Sequence, residues 1–204
     1  AVGGAGLYVR ALCEGMDDLP QADESLREEM DRWLAEEGLG ALAEKLRELD
    51  PEYYRIVDLN NPARVVRALE VCLQTGMPYS RQRTGIRRAR PFEIVKIGVD
   101  LPREELYDRI NRRVDRMLAD GLEAEARALY PYRELNALQT VGYREFFDYF
   151  DGRIGYDEAV ELIKRNSRRY AKRQLTWFRR DPEIRWFRPD DDAAMINYID
   201  FGKS

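Results

Sequence analysis

The sequence predicts an α/β fold in which helices dominate. Apolar residues recur at helical spacing through most of the 204 residues, whereas only residues 94–99 and 184–187 have the pattern of strands. Two strands cannot form a sheet that covers this many helices. We therefore expect the remaining strands of the sheet to precede Ala1.

The composition is typical of a water-soluble globular protein. Hydrophobic residues make up 44% and charged residues 35%, and no apolar run approaches the roughly 20 residues of a membrane helix. Cys13 and Cys72 lack ligand-like spacing, so we expect reduced thiols in a cytoplasmic protein. Histidine is absent, which excludes Ser/His and Cys/His nucleophiles and most zinc sites. Acid-base chemistry must then come from carboxylates or from residues outside this chain.

The first segment, residues 2–8, reads VGGAGLY and leads into a predicted helix. Closely spaced glycines before a helix allow backbone N–H groups to approach an anion. A plain tight turn is the simpler interpretation, because short glycine motifs are weakly specific.

Residues 14–52 are acidic, with fourteen Asp or Glu against four Lys or Arg, among which Arg27 stands out. Their apolar spacing predicts two helices that are broken at Gly38 or Gly40. Two later helices are predicted to start at an N-cap followed by proline, with Asp50 and Asn61 as the caps.

The rest of the chain alternates further elements with short connections. Gly76 ends the helix that Asn61 begins, and the basic residues 79–90 have no apolar period, which predicts a mobile loop. The following pattern predicts a strand at 94–99, helices at 102–121, 122–130 and 145–150, a long helix at 155–179, a strand at 184–187 and a helix at 193–199.

The long helix has two different faces. An apolar seam is predicted from Tyr156, Val160, Ile163, Tyr170 and Trp177, while residues 164–180 contain eight bases and no acid. In a protein of net charge −4, an unrelieved basic stripe indicates an anion that faces it. A merely solvated face is the alternative.

Taken together, these segments resemble the tRNA dimethylallyltransferase family, also called tRNA isopentenyltransferases. The resemblance covers almost the whole chain, and its motifs occur in the order of the family. They are VGGAGLY at 2–8, NPARVVRALEV at 61–71 with Thr75 and Gly76, RINRRV at 109–114 with Gly121 and Leu122, VGYR at 141–144, and KRQLTWFR at 172–179.

The resemblance implies a P-loop-kinase-like α/β core with an inserted helical domain. Residues 1–15 would be part of the core, 16–92 the inserted tRNA-binding domain, and 93–204 the remainder of the core with the long basic helix. The family's phosphate-binding loop and catalytic Asp belong upstream of these residues. The resemblance therefore implies that this polypeptide alone does not catalyse the reaction of the family.

The implied reaction transfers a dimethylallyl group from dimethylallyl diphosphate to N6 of an adenine in tRNA. That adenine lies next to the anticodon, at position 37, in tRNAs that read codons starting with U, and it is flipped into a channel. Mg²⁺, bound mainly upstream, would assist the leaving group. The implied partners are the tRNA anticodon arm and dimethylallyl diphosphate, and we expect a cytoplasmic monomer without a membrane association.

The resemblance also assigns residues to these roles. Arg113 would contact the diphosphate, since a guanidinium stabilises its developing charge bidentately. Ala5 stands where the family has Thr, so one hydroxyl contact is missing. The implied tRNA contacts are Ala5, Arg27, Ala63, Arg64, Val65, Val66, Arg67, Gln139, Thr140, Val141, Gly142, Tyr143, Arg144, Lys172, Arg173, Gln174, Leu175, Thr176, Trp177, Phe178 and Arg179.

Other interpretations are weighed against the one that the resemblance implies. Tyr143 and Trp177 could stack on splayed bases, but either aromatic ring could equally belong to the core. A helical RNA-binding module without a prenyl-donor site would use the same bases, and loss of Arg113 would then reduce only the salt dependence of tRNA binding. A nucleotide kinase relative would need a nucleotide loop, which nothing in the chain replaces.

Overall fold

The computed structural model describes residues 1–201 and divides into two compact units. One unit, here called the discontinuous unit, combines Ala1–Gly6 with Glu93–Ser204, and the inserted unit is Leu7–Phe92. The structure divides the chain after residue 6 and after residue 92. The resemblance implies boundaries after residue 15 and after residue 92. Whether the inserted unit binds tRNA stays a prediction.

The inserted unit is helical, and local capping explains where its helices begin. Asp50 and Asn61 act as N-caps, because their side chains accept hydrogen bonds from the backbone N–H of Tyr53 and Arg64 at 2.9 and 3.3 Å. Both predicted caps are thus confirmed. The helices are α1 (Gly6–Glu14), which begins at the unit boundary, α2 (Glu24–Leu49), α3 (Pro51–Tyr54), α4 (Pro62–Thr75) and α5 (Tyr79–Gln82).

Glycines interrupt these helices where the sequence predicts. Gly38 has φ +80° and ψ 171° inside α2, so the element consists of two helical segments that meet at a kink. Gly76 ends α4 with φ +68°. The core of this unit forms where α2 packs against α4, and its fully buried side chains include Met30, Leu42, Leu46, Val65 and Leu69.

The loop predicted at 79–90 is wrong at its start, because Tyr79–Gln82 form α5; residues 83–90 are irregular, and hydrogen bonds hold them along residues 11–17. Asp17 accepts from Thr84 Oγ1 at 2.7 Å and from the Gly85 backbone N–H at 3.0 Å. The backbone N–H of Arg88 donates to the Glu14 carbonyl at 2.8 Å. The segment is therefore attached to its own unit at several points, which its composition did not indicate.

In the discontinuous unit, strands β1 (Ile97–Val99) and β2 (Arg185–Phe187) form a parallel pair in which Ile97 lies opposite Arg185. Both are shorter than predicted. Lys96 precedes β1 and pairs with Asp181 and Glu183, each at 2.7 Å, which joins the two strand entrances. The helices are α6 (Arg103–Ala119), α7 (Leu122–Leu129), α8 (Tyr143–Phe150), α9 (Tyr156–Phe178) and α10 (Asp192–Phe201).

The core of this unit covers only the first half of α9. Helices α6 and α8 pack on α9, and its buried residues are Ala159 and Ile163. The predicted apolar seam is wrong at Tyr156, Tyr170 and Trp177, which are 39%, 46% and 41% exposed, while Val160 is partly buried and Ile163 is buried as predicted. The physical reason is that Val114, Phe146 and their neighbours meet α9 near its beginning, so its C-terminal half keeps only partial cover. Within residues 1–201, no helix combines the length and the apolar character needed to cross a membrane.

Replacement of Asp50 by Ala is expected to lower the free energy of unfolding by about 3 kcal/mol. Its carboxylate is 1% exposed, caps α3, and accepts from the Ser80 backbone N–H at 2.6 Å and the Ser80 hydroxyl at 2.8 Å. The measurement is urea unfolding followed by circular dichroism. Asp58→Ala is the matched control, since exposed Asp58 accepts one bond from Asn60, and its loss should change stability by about 0.5 kcal/mol. Equal losses in the two variants would contradict the capping role of Asp50.

Candidate functional site

Exposed bases without an acidic partner occur on both α6 and α9. These two helices pack together and leave several guanidinium and ammonium groups exposed. An array of like charges without nearby acids is an attractive site for a polyanion. In the described part of the chain, the members without an acidic partner include Arg109, Arg113 and Arg116 on α6, and Arg165, Arg169 and Lys172 on α9.

Other bases on the same helices are used to hold the helices together. Lys164 of α9 pairs with Asp115 of α6 at 2.6 Å. Arg168 donates to the Asn111 side chain at 2.6 Å and lies 5.9 Å from the centre of the Tyr107 ring. The structure thus separates bases that fasten α6 to α9 from bases that face solvent. The sequence could not make this distinction, because all of them belong to the same charge run.

Arg113 belongs to the exposed group. It directly precedes Val114, which is only 2% exposed in the core beneath α6. Packing therefore fixes the backbone at this position while the guanidinium remains accessible. Its neighbour Arg112 differs, because it pairs with Asp108 one turn earlier on the helix.

The start of the chain and the end of α9 come together in the discontinuous unit. Gln174 donates a hydrogen bond to the Gly4 carbonyl at 2.8 Å. The Trp177 indole lies so close to Gly6 that any Cβ at position 6 would overlap it. Ala5 is exposed between these two contacts. Two distant predicted motifs, at 2–8 and 172–179, therefore meet, and at position 6 this close approach requires glycine.

The remaining predicted residues of α9 differ in their surroundings. Lys172 and Thr176 are exposed, and the Thr176 hydroxyl donates to the Lys172 carbonyl at 2.9 Å. Leu175 and Phe178 are partly buried. The Arg173 guanidinium lies 5.6 Å from the Tyr170 ring centre, and Arg179 pairs with Asp100 at 2.5 Å. Arg179 is thus occupied by a structural ion pair next to the end of β1.

The predicted turn at 139–144 is anchored by a buried carboxylate. Gly142 has φ +107°, a conformation that favours glycine, and its backbone N–H donates to Glu145 at 2.8 Å. The other oxygen of Glu145 accepts from the Asn166 amide of α9 at 2.7 Å, and Glu145 is only 6% exposed. Sequence reasoning missed Glu145 and Asn166. The signal available in the sequence was an acidic residue, Glu145, among the aromatic residues of a predicted short helix.

Tyr143 and Arg144 follow that glycine and have different surroundings. The Tyr143 hydroxyl donates to Glu125 at 2.5 Å, and its ring is stacked with Phe147 at a centroid distance of 6.3 Å. The hydrogen bond to Glu125 raises the pKa of the Tyr143 phenol. Arg144 is exposed, as are Gln139 and Thr140, while Val141 is partly buried. Arg144 and Gln139 line a cleft of about 180 Å³ together with Arg133, Glu134, Phe147, Asp148 and Arg153.

In the inserted unit, the predicted residues on α4 separate into surface and core. Ala63 and Arg64 are exposed at the start of the helix. Val65 and Val66 are 0% and 7% exposed, so their side chains pack in the core and are not available to a ligand. The correction follows from helical periodicity, which turns two consecutive positions of the motif inward. Arg67, by contrast, joins Arg27 of α2 around one carboxylate, that of Glu70.

The described residues contain no group of three or more His, Cys, Asp or Glu side chains that could hold a metal ion. The Mg²⁺ that the resemblance implies, expected mainly upstream of these residues, stays a prediction.

Parallel strands flanked by helices define an α/β protein, and comparison with known proteins places it in a family. The model of the IPP transferase family matches residues 1–181. The chain belongs to the IPP transferase family. A curated tRNA dimethylallyltransferase of Cytophaga hutchinsonii is 54% identical over 198 residues, which are 97% of this chain and 65% of that protein. tRNA dimethylallyltransferase 1 of Phocaeicola vulgatus is 53% identical, with 97% and 66% coverage.

Solved structures agree with this assignment. A tRNA isopentenylpyrophosphate transferase from Bacillus halodurans is 40% identical with a TM-score of 0.59, covering 97% of this chain and 63% of that one. A eukaryotic dimethylallyltransferase acting on tRNA has a TM-score of 0.71 at 22% identity, covering 99% and 53%, and shows the likeness of fold alone. The predicted α/β class is confirmed. The chain spans about 65% of the length of the curated relatives that it matches.

Replacement of Glu125 by Gln is expected to lower the raised pKa of Tyr143 towards its ordinary value, because a neutral amide stabilises the protonated phenol less than a carboxylate does. Since the pKa is raised in the fold, this contact stabilises the protein below about pH 10 and is lost as the pH rises through the raised pKa. The measurement is an NMR titration of ¹³C-labelled tyrosine rings, with the Tyr143 signal assigned by Tyr143→Phe. Glu123→Gln, on the same helix but paired with Arg127, is the control and should leave the Tyr143 titration unchanged.

Proposed function

We propose that this chain forms the part of a tRNA dimethylallyltransferase that faces the tRNA anticodon arm and the departing diphosphate. The complete enzyme would transfer the dimethylallyl group of dimethylallyl diphosphate to N6 of the adenine at position 37, in tRNAs that read codons starting with U. The family match over residues 1–181 supports the reaction class. The observation that carries the proposal is the set of exposed, unpaired bases on α6 and α9 in a chain of net charge −4.

The proposed reaction makes one bond and breaks another. The adenine N6 attacks C1 of the donor, the C–O bond to diphosphate breaks, and N6 loses a proton to a base that the complete enzyme supplies. Negative charge on the bridging oxygen grows as the bond breaks, so a guanidinium there binds the transition state more strongly than the intact donor. Arg113 is suited to that role because its guanidinium is exposed and has no acidic partner among the described residues.

The RNA would be held mainly through its phosphates and, in part, by stacking. Bases on α9 such as Arg169 and Lys172 supply positive charge that is not neutralised within residues 1–201. Of the two candidate stacking residues, Trp177 is favoured because 41% of it is exposed. Tyr143 is half-buried and its hydroxyl is already bound by Glu125, which favours a role in shaping the channel. Action on tRNA as a cytoplasmic monomer is part of this proposal.

Combined replacement of Arg169 and Lys172 by Ala is expected to weaken tRNA binding and to reduce the slope of log affinity against log salt by about one to two, because two phosphate contacts are lost. Binding is measured by fluorescence anisotropy over a salt series. The control is Arg47→Ala with Arg127→Ala, which removes the same charge from exposed bases that already pair with Glu44 and Glu123. A slope that falls equally in the control would contradict a specific RNA surface on α9.

Replacement of Arg113 by Lys, in a full-length protein that also contains the family's phosphate-binding loop, is expected to keep the fold and tRNA affinity and to lower turnover about 10²-fold. That loss corresponds to roughly 2.7 kcal/mol of transition-state stabilisation. Single-turnover transfer of a labelled dimethylallyl group is the measurement. Arg112→Lys is the control, because the Arg112 guanidinium is already paired with Asp108. Turnover at the parent rate in Arg113→Lys would place the diphosphate contact elsewhere, and a change confined to tRNA salt dependence would favour a non-catalytic RNA-binding module.

A further inference from the structure

Glu70 is an ionisable residue at a position where the helix otherwise buries apolar side chains. It lies on α4 directly after Leu69, and both residues are 0% exposed. A buried carboxylate is unfavourable unless charged or hydrogen-bonding groups compensate it. Packing alone would be served better by an aliphatic residue at this position, so the contacts of Glu70 require an explanation.

Both oxygens of Glu70 are occupied by arginines. Arg27 of α2 approaches side-on, with its Nε on Oε1 and its Nη2 on Oε2 at 3.1 Å. Arg67 places Nη1 on the same Oε2 at 3.3 Å and donates its Nη2 to the Pro20 carbonyl at 2.5 Å. The hydrogen bond to Glu70 raises the pKa of Arg27 above its ordinary value. One carboxylate thus fixes two guanidinium groups that lie 40 residues apart in sequence.

Each of the two arginines is held in place and still has N–H donors that are not bonded. A guanidinium has five N–H donors in a rigid plane, and each of these arginines commits only two of its nitrogens. Their side chains remain 47% and 32% exposed, whereas the Glu70 side chain is fully covered. Glu70 offsets one of the two positive charges, and Asp31, one turn further along α2, also acts on Arg27. Free donors in fixed positions are what binding of a phosphate requires, because less conformational freedom is lost when the anion arrives.

We infer that Glu70 is a positioning residue that holds Arg27 and Arg67 ready for the phosphates of the RNA. This inference rests on the proposed function and adds to it a residue that has no contact with the ligand. Glu70 acts through the two arginines, and its own charge is unfavourable for RNA. Replacement of Glu70 should therefore weaken RNA binding if Glu70 positions the arginines, and strengthen it if only the overall charge matters.

The test is Glu70→Gln in the 204-residue chain, with binding measured against an unmodified anticodon stem-loop RNA. Removal of a negative charge should strengthen RNA binding if only the overall field matters. If Glu70 positions the arginines, the same change weakens binding about 10-fold, because the neutral amide holds the guanidinium groups less firmly. Glu36→Gln is the matched control, since Glu36 is an exposed acid on α2 of the same unit, and its replacement should leave binding unchanged or slightly tighter.

A double-mutant cycle with Arg27→Ala separates positioning from a general structural effect. In Arg27→Ala, Glu70 keeps Arg67 as a partner, so the buried charge remains paired. Positioning predicts that Glu70→Gln costs about 3-fold or less in this background, because one of the two held groups is already gone. A structural effect predicts the same loss in both backgrounds. Circular dichroism and thermal unfolding confirm that each variant is folded.

Glu70→Asp provides the same test if the Gln variant does not fold. It keeps the negative charge and withdraws the carboxylate by one methylene, so positioning predicts weaker binding where overall charge predicts no change. Binding by Glu70→Gln or Glu70→Asp that equals or exceeds that of the unchanged chain overturns the inference, as does a loss that is independent of Arg27. Failure of the unchanged chain to bind the RNA overturns the proposed function, and the inference with it.

Discussion

The packing of α9 against α6 and α8 is the constraint on which the discontinuous unit depends. Ala159 and Ile163 enter the core, and Lys164 and Arg168 fasten the next turns to Asp115 and Asn111 of α6. Beyond these turns, most bases of α9 and its residues Tyr170 and Trp177 are exposed, and the segment up to Gly6 contacts Gln174 and Trp177. Contacts along one side hold α9 in position while its exposed bases remain accessible.

Buried carboxylates recur where a polar segment must be held still. Asp50 joins the start of α3 to Ser80, and Glu145 joins the Gly142 turn to Asn166. Glu70 does the same for two arginines. In each case the acid is almost fully buried and its oxygens are satisfied by hydrogen bonds. Exclusion of water strengthens these hydrogen bonds and makes a buried polar group without a partner unfavourable. The geometry around each acid is therefore tightly specified.

The distribution of charge also shows that an acidic chain can carry exposed, unpaired bases. Net charge describes the whole molecule, but attraction at short range depends on whether each base has an acid beside it, since the Debye length is about 8 Å at physiological ionic strength. Arg112, Arg127 and Arg179 have such partners. Arg113 and Arg169 have none among residues 1–201. The overall value of −4 therefore says little about the surface formed by α6 and α9.

Local chemistry allowed the sequence by itself to determine much of this protein. Side-chain caps at Asp50 and Asn61 and the glycine positions at 38 and 76 act over a few residues, so the helix boundaries they set could be predicted. The motifs at 61–71 and 172–179 indicated the family. Tertiary structure alone decided which members of a motif face outward, because burial of Val65 and exposure of Trp177 depend on what packs against them. It also decided the roles of Glu70 and Glu145, since their partners come from distant parts of the chain and no local pattern records which arginine or amide a buried acid will meet.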